Sequence, residues 1–477
     1  MLNNELLRLL KRFFGLDPTS NQSEAITQLV LFTESKEMNP VFLLSGYAGT
    51  GKTTLMGAYI KALNALEFKS CLLAPTGRAA KVLAMKSESK AQTIHKKIYF
   101  KNTIPGEKTQ LVLAQNLHTN TVFIVDEASM IGDFSVQKEG VFDTRNLLED
   151  LIEYVFSGVN CKLIFVGDKG QLPPVGSDFS PALDPVYLKT HFFRVSVLPM
   201  QLKEVVRQSF DSAILANATK LRNVEEFEFP IIDLFKNSDV IRVEGGDLQE
   251  ELEAYYNAFS YDDVIVITKS NKRANAYNHH IRSRILYREE IVCAGDRLMI
   301  VRNNYFWLET DSPAGFIANG EIVKVNRIRN VHEIYGFKFV NASVELVDYQ
   351  DMGEIDVVLM LNTLDSESPS LSREDMKTLF FEIEKEYADE RNTKKRYERI
   401  LKNPYFNALQ VKYAYAITCH KAQGGQWPIV FLDHDYLTEE MLNFSFLRWL
   451  YTGFTRASEK LFLVNFHKEF FENEIDE

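Results

Sequence analysis

The segment Gly46-Tyr-Ala-Gly-Thr-Gly51-Lys52-Thr53 has the residue types and spacing of a phosphate-binding loop. Gly46, Gly49 and Gly51 let the backbone curl until its amides face phosphate oxygens. Ala48, Thr50 and Thr54 complete the candidate nucleotide-binding stretch. Lys52 can reach the β- and γ-phosphates, and the Thr53 hydroxyl can ligate Mg²⁺. A second cluster, Asp126-Glu127, closes the apolar run Val122-Phe-Ile-Val125. A carboxylate at the end of a buried strand can hold Mg²⁺, and its neighbour can deprotonate a water. Asp126 is therefore the candidate metal ligand and Glu127 the candidate general base. Together the two clusters predict a site for ATP and Mg²⁺.

Such a loop works only between a strand and a helix. Val41-Phe-Leu-Leu44 leads into Gly46, and a helical pattern runs from Lys52 to Phe68. Cys71-Leu-Leu-Ala74 and Leu163-Ile-Phe-Val166 are further short apolar runs that end in polar clusters. Runs of this length, apolar on both faces, read as buried parallel strands. Their alternation with helices predicts a doubly wound α/β sheet with ligands at the carboxyl ends of the strands. The pattern returns at Val264-Ile-Val-Ile267, Ile429-Val-Phe-Leu432 and Leu461-Phe-Leu-Val464. The expected organisation is a first α/β domain over 1–210 with a hairpin inserted at 93–120. A second α/β domain is expected over 211–290, completed by 411–477. Between them an accessory domain is expected over 291–410: its part 291–350 is rich in Val, Ile and aromatics, with turn signals at Ala294-Gly295-Asp296 and Asn319-Gly320, which predicts a small β-barrel. Its charged extension, 372–400, has helical spacing and reads as a solvated helix face.

The chain has 477 residues, 45% apolar and 25% charged, enough for about three domains that each bury a core. Net charge is −11, so no whole-chain basic footprint marks a nucleic-acid binder, although charge along one groove is what counts. Four cysteines, Cys71, Cys161, Cys293 and Cys419, lie far apart and give neither a zinc spacing nor a disulfide framework. A reducing, cytoplasmic setting is expected. Met1–Phe14 is a poor signal peptide, and no run of about 18 apolar residues predicts a membrane span.

The remaining strand ends carry a series of motifs. In order they are Ala74-Pro75-Thr76-Gly77-Arg78-Ala79-Ala80-Lys81, Thr93-Ile94-His95-Lys96, Gly167-Asp168-Lys169-Gly170-Gln171-Leu172-Pro173-Pro174, and Leu202-Lys-Glu-Val-Val-Arg207-Gln208. Near the C-terminus follow Ala416-Ile-Thr418-Cys-His420-Lys421-Ala-Gln423-Gly424 and Tyr451-Thr-Gly-Phe-Thr455-Arg456-Ala457. This series resembles superfamily 1B helicases, with RecD-like and Dda-like DNA helicases the nearest likeness. The resemblance covers roughly 16–325 and 411–465 and is weakest over 326–410.

The resemblance implies two RecA-like domains with ATP between them, and an SH3-like barrel as the accessory domain. Carried onto this chain, it makes Gln22 the adenine reader and Gln171 the γ-phosphate sensor. Arg207 and Arg456 become arginine fingers, and Gln423 a second γ-phosphate contact. It implies nucleic-acid contacts at Pro75, Thr76, Thr93, His95, Ser270, Asn271, Thr418 and His420. Neutral donors at strand ends hold phosphates without reading sequence. The inserted hairpin takes the place of a strand-separating pin, with Tyr99, Phe100, Ile104 and Pro105 as its candidate wedge. The implied activity is ATP-driven, 5′-to-3′ unwinding, with single-stranded and forked DNA as partners. Other replication, recombination or repair proteins are candidate partners, and no membrane is expected. Three alternatives remain open: a motor subunit of a recombination nuclease complex, an RNA-directed superfamily 1 helicase, and a nucleotide switch that does not move.

Overall fold

A computed structural model describes residues 2–102, 110–133, 146–205, 212–222, 227–234, 239–309 and 312–471. The first unit contains strands β1 (Pro40–Gly46), β2 (Lys69–Ala74), β3 (Ala91–Thr93), β4 (Tyr99–Asn102), β5 (Gln110–Leu113), β6 (Thr121–Val125), β7 (Lys162–Gly167) and β8 (Ser196–Leu202). Six of them form a parallel sheet in the order β3-β2-β6-β7-β1-β8. Side chains alternate between its faces. Phe42, Leu44, Leu72 and Ile124 join one apolar layer with the helices Ser20–Glu34 and Lys52–Ala65. Val41, Leu43, Leu73 and Phe123 join the other, under the helix Leu147–Ser157. β4 and β5 pair antiparallel outside the sheet, so the inserted segment is a hairpin. The strand β8 is not anticipated from sequence. It lies at the sheet edge, half exposed and interrupted by Pro199, so it lacks an apolar run.

The second unit begins with β9 (Val240–Val243) and β10 (Val264–Thr268). The chain then forms a closed barrel of β11 (Arg297–Ile300), β12 (Ile322–Ile334), β13 (Phe337–Leu346), β14 (Glu354–Met360) and β15 (Leu409–Tyr413). It returns through β16 (Ala416–Thr418), β17 (Trp427–Asp433) and β18 (Ala457–Val464) to complete a parallel sheet in the order β16-β10-β17-β18-β9. The hand-over from barrel to sheet falls at Ala414-Tyr415, slightly later than the 410/411 boundary expected. β15 runs almost directly into β16, and no change of composition marks the junction.

One apolar cluster joins the barrel to a face of the second sheet, through Val323 and Leu359 on one side and Phe431 and Phe462 on the other. The charged segment forms two helices, Arg373–Glu386 and Thr393–Leu401. Their apolar faces (Leu379, Ile383, Ile400) cover Phe337, Phe339 and Met360 of the barrel's long hairpin. The segment is therefore amphipathic, with a solvated face outward and a packing face against the barrel. No helix among the described residues is long and apolar enough to cross a membrane.

Candidate active site

The phosphate loop follows β1 and opens the helix Lys52–Ala65, with Gly51 in the left-handed region (φ 85°) as its N-cap. Lys52 Nζ donates to the carbonyls of Gly46 (2.6 Å) and Tyr47 (2.8 Å), so the lysine folds back along its own loop. The Thr50 hydroxyl donates to Tyr47 O. Gln22 is 1% exposed. Its Oε1 accepts from Thr19 N–H (3.0 Å) in a capping box, and its Nε2 donates to Thr50 O (3.1 Å). The glutamine thus braces the loop with both ends of its amide.

Asp126 and Glu127 stand at the end of β6, half-buried. The Glu127 N–H donates to Asp126 Oδ1 (2.9 Å), which leaves the second carboxylate oxygen open. Glu127 takes a positive φ of 52°, uncommon for a residue with a side chain and a strain that turns it away from the strand direction. Burial raises the pKa of both carboxyls. Glu127 is raised further by Asp126 and lowered by the charges of Arg456 and Lys52. A base moved up toward working pH suits proton abstraction. One strand-end carboxylate plus one helix-start hydroxyl, Thr53, also fits Mg²⁺, which takes few protein ligands and completes its shell with water and phosphate. No group of three or more His, Cys, Asp or Glu side chains that could hold a metal occurs among the described residues.

The second domain closes over this loop. Tyr47 and Ala48 pack against its apolar cluster, and Gly49 lies against Val205 and Leu215. The Arg222 guanidinium stacks on the Tyr47 ring (4.2 Å). Tyr451 Oη accepts from Ala48 N–H (2.8 Å) and donates to Asp168 Oδ2 (2.6 Å). Gln423 Nε2 donates to Leu172 O (2.7 Å), and Thr452 Oγ1 accepts from Leu172 N–H (2.9 Å). The structure thus engages Gln423 with the Gln171 segment, while Gln171 Oε1 itself is buried without a partner. Arg456 is buried and donates to Thr452 O, Gly425 O and Thr455 Oγ1, close enough for its charge to reach Glu127. Arg207 lies outside the described residues, as do Ile104 and Pro105.

The other strand ends are helix starts. Thr76, Thr93 and Ser270 are N-caps whose hydroxyls accept from Ala79, Lys96 and Arg273 N–H. Each hydroxyl therefore also does a local structural task. Thr418 occupies an N-cap position with no side-chain cap bond. Pro75 follows β2 just before Thr76, and the His95 ring lies 5.7 Å from that of Tyr99. Burial lowers the pKa of His420, which keeps it neutral near pH 7. The two domains meet along this line: Gly424 lies against Thr76 and Ala79, and Arg78 stacks over Trp427 at 4.0 Å. Asn271 and Thr418 share a pocket with Asn275, Lys412 and Lys421. Burial is the main cause that depresses both lysines to about 8, opposed at Lys412 by Asp365 and helped at Lys421 by the charge of Lys412. Sequence spacing does not single out this lysine pair, because β15 and the helix Cys419–Ala422 bring it together only in the fold.

Tyr99 corrects the expectation for the hairpin. It is 8% exposed and its hydroxyl donates to Asp150 (2.6 Å), so it anchors the base of the hairpin and cannot act as a wedge. Phe100, on the opposite face, is 49% exposed.

Two families match the chain. That described as an AAA domain matches residues 18–244, and the UvrD-like helicase C-terminal domain matches 413–464. They fall on the two parallel sheets, in the order the motifs follow along the chain. With the motif series, these matches make the chain similar to superfamily 1B helicases. It is 27% identical over 322 residues to the ATP-dependent DNA helicase Dda of Enterobacteria phage T4, covering 65% of this chain and 67% of that one. It is 23% identical over 496 residues to an uncharacterized protein of Acanthamoeba polyphaga mimivirus, covering 90% of this chain and 96% of that one. Among solved structures it is similar to Pif1 helicase from Bacteroides in complex with ADP-AlF3 and single-stranded DNA. There the identity is 14%, the coverage 96% of this chain and 95% of that one, and the TM-score 0.49.

Proposed function

We propose that this helicase hydrolyses ATP to move along single-stranded DNA and to open a duplex ahead of it, in the 5′-to-3′ direction. The observation that carries this reading is the shared seam of the two domains. On one side of it the phosphate loop and Asp126-Glu127 lie under Tyr451 and Arg456. Farther along it, Thr76 and Arg78 of the first domain meet Gly424 and Trp427 of the second. Any change in how the domains close over nucleotide therefore changes the spacing of strand-binding groups on two separate sheets.

In this reading Lys52, Thr53 and the loop amides bind the triphosphate, and Asp126 with Thr53 holds Mg²⁺, which neutralises phosphate charge when bound. Glu127 takes the proton of the attacking water. Arg456 offsets charge on the transferring phosphoryl group, a role worth about 10³–10⁵ in rate. Gln22 braces the loop beside the base, and Gln171 and Gln423 lie between the nucleotide and the strand path. Ser270, Asn271, Thr418, His420, Lys412 and Lys421 hold the strand on the second domain. Pro75, Thr76, Thr93 and His95 hold it on the first. Phe100 stands on the hairpin that meets the duplex.

The test is unwinding of duplexes bearing either a 5′ or a 3′ single-stranded tail, with ATP and Mg²⁺ at fixed salt. Opening from the 5′ tail alone is expected, with Lys52→Ala inactive. Opening only from the 3′ tail overturns the direction. Equal or better stimulation of ATPase by RNA overturns the choice of DNA, and no stimulation by any polynucleotide overturns the motor.

A further inference from the structure

Tyr451 gives the second domain a hydrogen bond to the phosphate loop, and neither the motif chemistry nor the arginine-finger role requires it. It lies on the helix Phe444–Phe454, 1% exposed. Its hydroxyl makes two bonds, both to the other domain: it accepts from the Ala48 amide and donates to Asp168. Asp168 in turn accepts from Gly170 N–H (2.8 Å), which shapes the turn that carries Gln171. The ring lies flat enough on Gly170 that a Cβ there would stand 3.1 Å from Tyr451 Cε1. One residue further along the helix, Thr452 accepts from Leu172 N–H and its carbonyl accepts from Arg456. Tyr451 and Thr452 therefore fix the loop, the Gln171 turn and the arginine into one hydrogen-bonded unit.

Ala48 is part of a loop whose amides serve phosphate oxygens, and one N–H makes one strong bond. We propose that Tyr451 is a positioning residue that couples nucleotide binding to domain closure: its hydroxyl and a phosphate oxygen of the nucleotide compete for the Ala48 amide. The inference rests on the helicase reading above. When phosphate takes the amide, the hydroxyl keeps Asp168 as its acceptor, and the helix carrying Thr452, with Arg456 two residues past its end, is free to shift against the loop. Nucleotide occupancy then reaches Thr418 and His420 through the short stretch from Gly425, whose carbonyl accepts from Arg456.

Tyr451→Phe removes the hydroxyl and keeps the ring. The measurements are binding of a fluorescent ATP analogue and of a fluorescein-labelled oligo-dT, each with and without the other ligand. A neutral hydrogen bond sets the scale at about fivefold. The variant is expected to bind the ATP analogue about fivefold more tightly and to lose most of the change in DNA affinity that the analogue causes in the wild type. Gly170→Ala, which pushes the ring from the opposite side, is expected to act in the same direction. A merely structural tyrosine would lower the melting temperature and weaken nucleotide binding in both variants, and that result overturns the proposal. Unchanged binding and unchanged coupling overturn it as well. A wild-type protein that binds no ATP analogue at all refutes the helicase reading itself, before any variant is compared.

Discussion

Glu321→Gln tests the contact between barrel and first domain. Glu321 follows the Asn319-Gly320 turn that leads into β12, and it is 2% exposed. Its Oε1 lies so near Gly77 that a Cβ on that residue would stand 2.6 Å away, and its Oε2 has no hydrogen-bond partner. The facing groups are Lys96, which is turned toward Pro313 O, and Asp348, which is paired with Lys81. Burial is the main cause that raises the carboxyl from 4.5 to about 8, with Asp348 adding to it and Lys96 opposing it. The folded protein therefore carries Glu321 protonated at pH 7. A displacement of that size corresponds to about 5 kcal/mol between its two protonation states. The sign follows from linkage: between pH 4.5 and 8 the folded form binds a proton that the unfolded form has lost. Stability is complete below pH 4.5 and declines as pH rises to about 8, by about 1.4 kcal/mol per pH unit. Glutamine is neutral throughout and lacks this slope. Thermal melts from pH 5 to 9 should show the variant gaining on the wild type across that window, by several degrees at pH 8.5. Undocking of the barrel, which would let water reach the carboxylate, sets the ceiling. Lys412 and Lys421 titrate near the top of the window in both proteins and cancel in the difference. Parallel pH curves for the two proteins would refute the reasoning.

Arg282→Met should destabilise the second domain by about 3–5 kcal/mol in denaturant unfolding, because it strips one of two guanidinium partners from the fully buried Asp296. Arg456→Lys should retain ATP-analogue binding yet lower kcat about a thousandfold, since an ammonium cannot reproduce the guanidinium's fork. Lys421→Gln should weaken binding of single-stranded oligonucleotides uniformly across sequences and reduce the slope of log K against log salt by about one. In the wild type that contribution should fade above pH 8, where Lys421 loses its proton.

The sequence makes the two sheets legible because their strands are buried on both faces and so appear as unbroken apolar runs. β8 escapes notice because an edge strand needs no such run. The barrel is legible through its turn signals, but its last strand carries buried Gln410 and Lys412, which no pattern of alternation marks as interior. The phosphate loop and Asp126-Glu127 are recognisable because their chemistry is local: eight residues, or two, contain the whole arrangement. Arg222 on Tyr47, Tyr451 on Ala48 and Glu321 on Gly77 are not recognisable, because each pairs residues about 175 to 400 positions apart on different units. Gln22 is an intermediate case. Its capping box can be read three residues from Thr19, while its bond to Thr50 exists only once the helix packs under the loop.

The charge distribution makes sense in the same terms. A chain with net charge −11 can still hold a polyanion if the cations on its path are the ones taken out of water. Arg78, Lys96, Lys412 and Lys421 all lie along the seam or its barrel side, and burial makes the charged form of each costlier than in solution. In the proposed reading, a phosphodiester arriving there would add counter-charge and recover part of a desolvation cost already built into the fold. In the same reading the contacts are few and shared with neutral hydroxyls at helix starts. A motor must release the strand at every step, and a dense lysine patch would hold it through the whole cycle.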